Sequence, residues 1–154
     1  MPASTQPAPA EAQALIEQLG LIPHPEGGWY RENWRDVAAD GGRGCGTAIY
    51  YLLSDGIRSE WHRVDAAEVW HHYAGAPLEL AIADGDHHQV VRLGSRPLEG
   101  ETPQAVVEPR AWQSARSTGD WSLVGCTVSP AFDFDGFELA PPGWQPEGWA
   151  TPGW

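Results

Sequence analysis

Lysine is absent from this 154-residue chain: all nine basic residues are arginine, against 21 acidic ones, for a formal net charge of -12. The arginines are scattered, with no basic stripe. That excludes nucleic acid and anionic membrane surfaces as expected partners, because both are held by clustered cations. Cysteine is nearly absent as well. Cys45 and Cys126 form no C-x-x-C pair, so a zinc ribbon or a dithiol motif is excluded, and reduced, buried thiols in the cytoplasm are expected. No apolar run approaches the roughly 20 residues of a membrane span. The opening M-P-A-S-T-Q-P-A-P-A-E has neither the basic nor the apolar region of a signal peptide. No Ser-His-Asp order is present. The glycine-rich G-G-R-G-C-G at 41–46 lacks the strand–loop–helix setting of a phosphate cradle and reads as a flexible loop.

What is present suits one domain with a single core. Residues 1–9, rich in Pro, Ala, Ser and Thr, are expected to be disordered. Ala12, Leu15, Ile16 and Leu19 fall at helical spacing before Gly20, which predicts a short amphipathic helix over 10–19. From Pro23 onward the punctuation is that of an all-β protein. Strands are predicted at 28–35, 47–53, 59–64, 68–74, 78–83, 89–93, 105–108, 111–115, 121–128 and 132–139, with hairpin signals at Asp55-Gly56 and Asp84-Gly85. Ten short strands at this spacing indicate a sandwich or jelly roll. The tail 141–154 repeats Gly-Trp at 143, 148 and 153. Trp144 is expected to dock on the body and Trp154 to fray.

The densest chemistry lies in G-I-R-S-E-W-H-R-V-D-A-A-E-V-W-H-H-Y-A-G, residues 56–75. A turn at 65–67 between two antiparallel strands would let His62 and Glu68 face one interior. Alternation then places Glu68, Trp70 and His72 on one face and Val69, His71 and Tyr73 on the other, unless a bulge exchanges them. A His–Glu pair of this kind can serve acid–base chemistry or simply satisfy itself in a core.

The spacing G-x5-H-x-V-x3-E-x6-G, carried by Gly56, His62, Val64, Glu68 and Gly75, resembles the first cupin motif with Val64 in place of its second histidine. H-P-E-G-G-W-Y-R (24–31), T-A-I-Y-Y-L-L (47–53), W-Q-S-A-R (112–116) and L-V-G-C-T-V-S-P-A-F-D-F-D-G-F-E-L (123–139) are similar to the cupin branch known as DUF985 or Cupin_5. The resemblance covers about residues 20–140. It implies an all-β cupin double-stranded β-helix (jelly roll) with one short N-terminal helix, commonly a homodimer, around a small-molecule cavity. It implies no settled reaction.

A metal cupin uses two histidines and a glutamate of the first motif and a histidine of the second. Here Val64 and Ser114 occupy two of those four positions. No cofactor is therefore expected. A divalent metal, if bound, would take His62, Glu68 and His72, just enough ligands for zinc or non-haem iron. The resemblance also points to metal-free sugar epimerases, which would make His62 a base beside Glu68. Tyr30, Tyr50, Tyr51 or Tyr73 would be the acid, and Tyr73 joins His62 and Glu68 as the catalytic candidates. Arg31 and Gln113 are candidate ligand binders through a guanidinium fork and an amide. Trp70, His71, His72 and Trp112 are candidate walls of the cavity, and Trp112 reads equally well as plain core. The expected ligand is small and polar, sugar-like or a carboxylic acid. A non-catalytic binding module and a metal-dependent oxygenase or lyase are the alternatives. His87 and His88 follow a hairpin turn and are expected in solvent. Glu26 reads as a turn cap, and Asp133 and Asp135 as the solvated face of a strand.

Overall fold

The computed structural model describes residues 9–151, 153 and 154. The disorder expected over 1–9 falls, but for Pro9, outside the described residues. Helix α1 spans Ala10–Leu19 and ends at Gly20, whose φ of 66° is the left-handed stop that its lack of a Cβ permits. The apolar stripe buries Ala12 and Ile16 against Leu52, with Leu15, Leu19 and Leu123 at the margin. The Arg31 guanidinium donates to the carbonyl oxygen of Leu19 at 3.3 Å, placing a positive charge at the negative end of the helix dipole.

Among the described residues eleven strands follow: β1 (Ile22–Pro23), β2 (Trp29–Val37), β3 (Arg43–Ser54), β4 (Arg58–Val64), β5 (Ala67–Gly75), β6 (Leu78–Asp84), β7 (His87–Leu93), β8 (Gln104–Val107), β9 (Trp112–Ser117), β10 (Trp121–Ser129) and β11 (Phe137–Leu139). They form a six-stranded sheet in the order β1-β2-β3-β10-β5-β8 and a five-stranded sheet in the order β11-β4-β9-β6-β7. This is the all-β jelly roll that the turn spacing predicts. Between the sheets, Tyr51, Leu53, Trp70 and Val124 meet Leu80, Ile82 and Ala115 in one core. Each is contributed by the inward half of an alternating strand. Helix α1 lies outside, on the larger sheet. No helix among the described residues is long and apolar enough to cross a membrane.

Several local expectations need correction. β4 and β5 are not a hairpin: β4 pairs with β9 and β11, whereas β5 pairs with β10 and β8. The corner at Asp65-Ala66 carries the chain from one sheet to the other, and Asp55-Gly56 makes the same kind of crossing. The glycine-rich stretch 41–46 is a loop only at its start, since Arg43 already opens β3. Cys126 is buried as expected, whereas Cys45 is exposed. Residues 132–139 are not one strand. Asp133 accepts a hydrogen bond from the Asp135 amide at 3.0 Å, capping a single 3₁₀ turn at Phe134–Gly136 before the short β11. Local side-chain bonding of this kind outcompetes a strand ladder.

The described residues of the tail dock on the body. Trp144, Trp149 and Trp154 pack with Trp61 and Trp112 on the outer face of the smaller sheet. Trp154 is 8% exposed rather than frayed. Its indole N–H donates to Ser114 Oγ at 3.1 Å, and the Arg116 guanidinium stacks 4.3 Å from its ring centroid. Burying an indole whose N–H has a partner outweighs the local preference of Pro and Gly for irregular chain.

Leu52 is fully buried between α1 and the larger sheet. Leu52→Ala is expected to lower the unfolding free energy by about 2–5 kcal/mol, read as a lower urea midpoint at an unchanged m-value.

Candidate functional site

The site begins in the H-P-E-G-G turn between β1 and β2. The His24 amide donates to the Gly28 carbonyl at 2.9 Å, and the Gly27 amide to the His24 carbonyl at 3.0 Å. Gly27 and Gly28 have φ of +107° and +77°; a Cβ on Gly27 would lie 2.1 Å from the Arg58 carbonyl oxygen. Only glycine allows the turn to press this closely on β4. The Tyr51 hydroxyl, fully inside, donates to the Gly27 carbonyl. The Glu60 amide donates to the Glu26 carbonyl at 2.7 Å. The turn is thereby clamped between the sheets, and the side chain of Glu26 is driven into the interior, 4% exposed.

There Glu26 Oε2 lies 3.1 Å from His62 Nε2. His62 Nδ1 lies 2.7 Å from the Glu60 carbonyl oxygen. A carbonyl only accepts, so Nδ1 carries a hydrogen and the tautomer is fixed. The Glu26–His62 contact then needs one proton, held as a carboxylic acid or as an imidazolium. Burial decides which. It depresses the pKa of His62 to about 4 and raises that of Glu26, an effect only partly offset by the nearby His24. The resting pair is neutral, with the Glu26 carboxyl donating to Nε2. His24 is also held neutral by burial, and its Nδ1 accepts the Glu26 amide hydrogen at 3.1 Å.

Glu68 enters from β5 on the opposite sheet. Gln113 Nε2 donates to its Oε1 at 2.7 Å, and the Trp70 indole donates to Gln113 Oε1 at 2.8 Å. The indole can only donate, so it fixes which end of the amide faces the carboxyl. Burial first, and then the neighbouring Glu26, push the pKa of Glu68 up to about 8, against the pull of the Gln113 bond. At neutral pH Glu68 is a carboxylic acid.

His24, Glu26, His62 and Glu68 line one cavity, together with Tyr30, Glu32, Thr47, Ile49, Val64, Cys126, Val128, Phe132 and Phe134. It offers about 40 Å³ to the centres of water-sized molecules, room for about three such groups. The polar part of its wall carries His24, Glu26, His62 and Glu68. The remainder is largely apolar, with Phe134, 52% exposed, on its rim.

The model of Cupin_5, described as cupin superfamily (DUF985), matches residues 13–140. The chain belongs to the Cupin_5 family. A hypothetical protein from Leishmania major is 32% identical, with a TM-score of 0.76 over 84% of this chain and 86% of its own. A protein from Shewanella oneidensis is 38% identical, with a TM-score of 0.79 over 84% of each chain. Oxalate decarboxylase from Bacillus subtilis shares 14% identity at a TM-score of 0.59, over 76% of this chain and 29% of its own. That likeness shows the fold alone. No curated protein matches the chain.

In this Cupin_5 protein the residues singled out in the sequence separate into two groups. His62 and Glu68 reach the same cavity, but their side-chain partners are Glu26 and Gln113 rather than each other. Gln113 and Trp70 lie behind Glu68 and do not line the cavity. Tyr30, a candidate acid, also lines the cavity, whereas Arg31, His71, His72, Tyr73 and Trp112 point elsewhere. β5 shifts register against β10 between His72 and Ala74, so alternation fails there. His72 Nε2 donates to the Ala76 carbonyl at 3.1 Å. His71 turns outward to Thr127, and Tyr73, 52% exposed, stacks beside it. Arg31 is bound to the end of α1, and Trp112 packs on Trp144 in the tail cluster. Glu26 is no mere turn cap: with His24 it supplies half of the polar wall. The doubled glycine after Glu26 is the signal that marks a close approach.

The metal arrangement of the superfamily does not fit these donors. His72 faces away, Ser114 Oγ donates to the Ser59 carbonyl, and both nitrogens of His62 are held. Among the described residues no three His, Cys, Asp or Glu side chains form a metal-ligating group.

Two outcomes follow from this geometry. Gly27→Ala forces a side chain into positive φ and against a backbone oxygen; a loss of more than about 1–3 kcal/mol is expected from chemical unfolding. Glu68, with its raised pKa, favours the folded state while protonated, so that contribution is lost as pH rises towards 8. His62, with its lowered pKa, costs stability only as pH falls below its ordinary value of 6.5. Between pH 6.5 and 8 the protein should therefore lose stability, with Glu68 contributing on the order of 1–2 kcal/mol. Glu68→Gln should flatten that slope in thermal unfolding at several pH values.

Proposed function

We propose that this Cupin_5 protein binds a small polar molecule in the cavity and moves a proton beside its carbonyl group without a metal, as an isomerase or epimerase does. The observation that carries this reading is the buried Glu26–His62 hydrogen bond of 3.1 Å, whose imidazole is oriented by Glu60, across one cavity from the protonated Glu68. His62 acts as base together with Glu26. The proton on Glu26 Oε2 passes to His62 Nε2 while the free oxygen of Glu26 accepts the substrate's C–H proton. Glu68 gives its own proton to the developing oxyanion, so the intermediate is a neutral enol. Glu26 then gives its proton to the former carbonyl carbon and takes back the one held on His62 Nε2, while Glu68 accepts the proton of the neighbouring hydroxyl, so the carbonyl moves by one carbon and both acids and the neutral imidazole are restored. Tyr73 has no part in this scheme, since its ring lies on the outer face.

A non-catalytic binding module would use the same cavity, and the small volume and apolar walls favour it as the second reading. The homodimer belongs to the same proposal. Beyond α1 the larger sheet leaves Trp34 and Tyr73 about half exposed, and a second copy of the chain would cover them. A cytoplasmic setting suits the two unpaired thiols.

The test is incorporation of solvent deuterium into small hydroxy-ketones and hydroxy-aldehydes. Exchange should fall by at least about 100-fold in Glu26→Gln and in Glu68→Gln, with circular dichroism unchanged. Binding without exchange in the unaltered protein would leave the binding module instead.

A further inference from the structure

The lining of the cavity has three carboxyl groups, Glu26, Glu32 and Glu68, and no arginine. With no lysine in the chain, arginine is the sole permanently charged side chain of positive sign available. None of the arginines lines the cavity. Arg35 holds Glu32 through Nε and Nη2 at 2.7 and 2.9 Å. Arg43 pairs with Asp65, Arg63 with Glu138, and Arg116 binds the Gly153 carbonyl of the tail. The two imidazoles of the lining are both held neutral by burial. A ligand carboxylate or phosphate would therefore be taken out of water with no positive partner. Burial of an uncompensated charge is strongly unfavourable.

An ammonium ligand meets the converse problem. Glu68 is held protonated at neutral pH, Glu26 shares a single proton with His62 and leaves that pair without net charge, and Glu32 is already neutralised by Arg35. The cavity thus offers hydrogen-bond donors and acceptors without net charge. The apolar part of its wall comes from Ile49, Val64, Val128 and Phe132.

Resting on the acid–base reading above, we propose that the cavity selects uncharged, amphipathic hydroxy-carbonyl compounds of about four to six non-hydrogen atoms and rejects carboxylates, phosphates and amines of the same size. The carbonyl and hydroxyl oxygens lie against Glu68 and Glu26, and the alkyl end lies against the apolar wall. Of the two ligand chemistries that the sequence suggests, this is the sugar-like one in its smallest form, and the carboxylic acid is disfavoured.

The experiment is a titration of the intact protein at pH 7 with hydroxyacetone, pyruvate and propylamine, followed by the amide resonances of Thr47, Val64 and Cys126. Hydroxyacetone should shift these resonances with a dissociation constant at least about tenfold below those of the other two, equivalent to 1.4 kcal/mol. Pyruvate or propylamine binding as tightly, or hydroxyacetone leaving the three resonances unmoved, overturns the proposal. The readout is binding, so it separates from turnover. Hydroxyacetone that binds without exchanging hydrogen removes the catalytic reading and leaves this one standing. Exchange into a tighter-binding pyruvate does the reverse.

Discussion

One proton between Glu26 and His62 governs the interior of this molecule. Two ionisable groups that would each be charged or half-charged in water are buried side by side, and they coexist because a single hydrogen satisfies both. The arrangement depends on remote features of the chain. The Glu60 carbonyl fixes the imidazole, and the Glu60 amide fixes the main chain of Glu26. The double glycine lets the turn reach this depth. Remove the hydrogen bond and each partner becomes an unpaired buried polar group, which a β core tolerates poorly.

The second constraint is the row of contacts behind Glu68. Trp70 and Gln113 do no chemistry themselves, yet the indole determines the orientation of the amide and the amide determines which oxygen of Glu68 remains free. A carboxyl supported in this way keeps one oxygen committed and presents the other. The two acidic groups thus reach the same small space from different elements, the β1–β2 turn and β5, with different support, one shared with an imidazole and one shared with an amide. Such a difference in support sets two carboxyls apart in acidity.

Much of the fold could be read directly from the sequence, because turn chemistry and alternation are local signals. The helix ends at Gly20 as its periodicity requires, and the Asp84-Gly85 hairpin joins β6 and β7 in register. The site was harder to read. His62 and Glu68 stand out by spacing, but whether neighbouring strands share a sheet is a long-range property, so the hairpin expected between them became a crossing between sheets. His72 was displaced by a register shift that no pattern of residue types announces. Glu26 was passed over because a glutamate before two glycines usually lies in a solvated turn. Its burial depends on contacts to Arg58, Glu60 and Tyr51 far along the chain. Trp154 was misjudged for the same reason, since its partner Ser114 lies 40 residues away.

The polar contacts of the cavity also run from wall to wall. Gln113 in the smaller sheet holds Glu68 and Trp70 of the larger one, and His62 of the smaller sheet holds the turn that leads into the larger. The buried polar groups of the cavity are therefore also rivets between the sheets. A lineage that exchanged them for other side chains would loosen that seam, and would have to fasten it again elsewhere before the exchange could be kept.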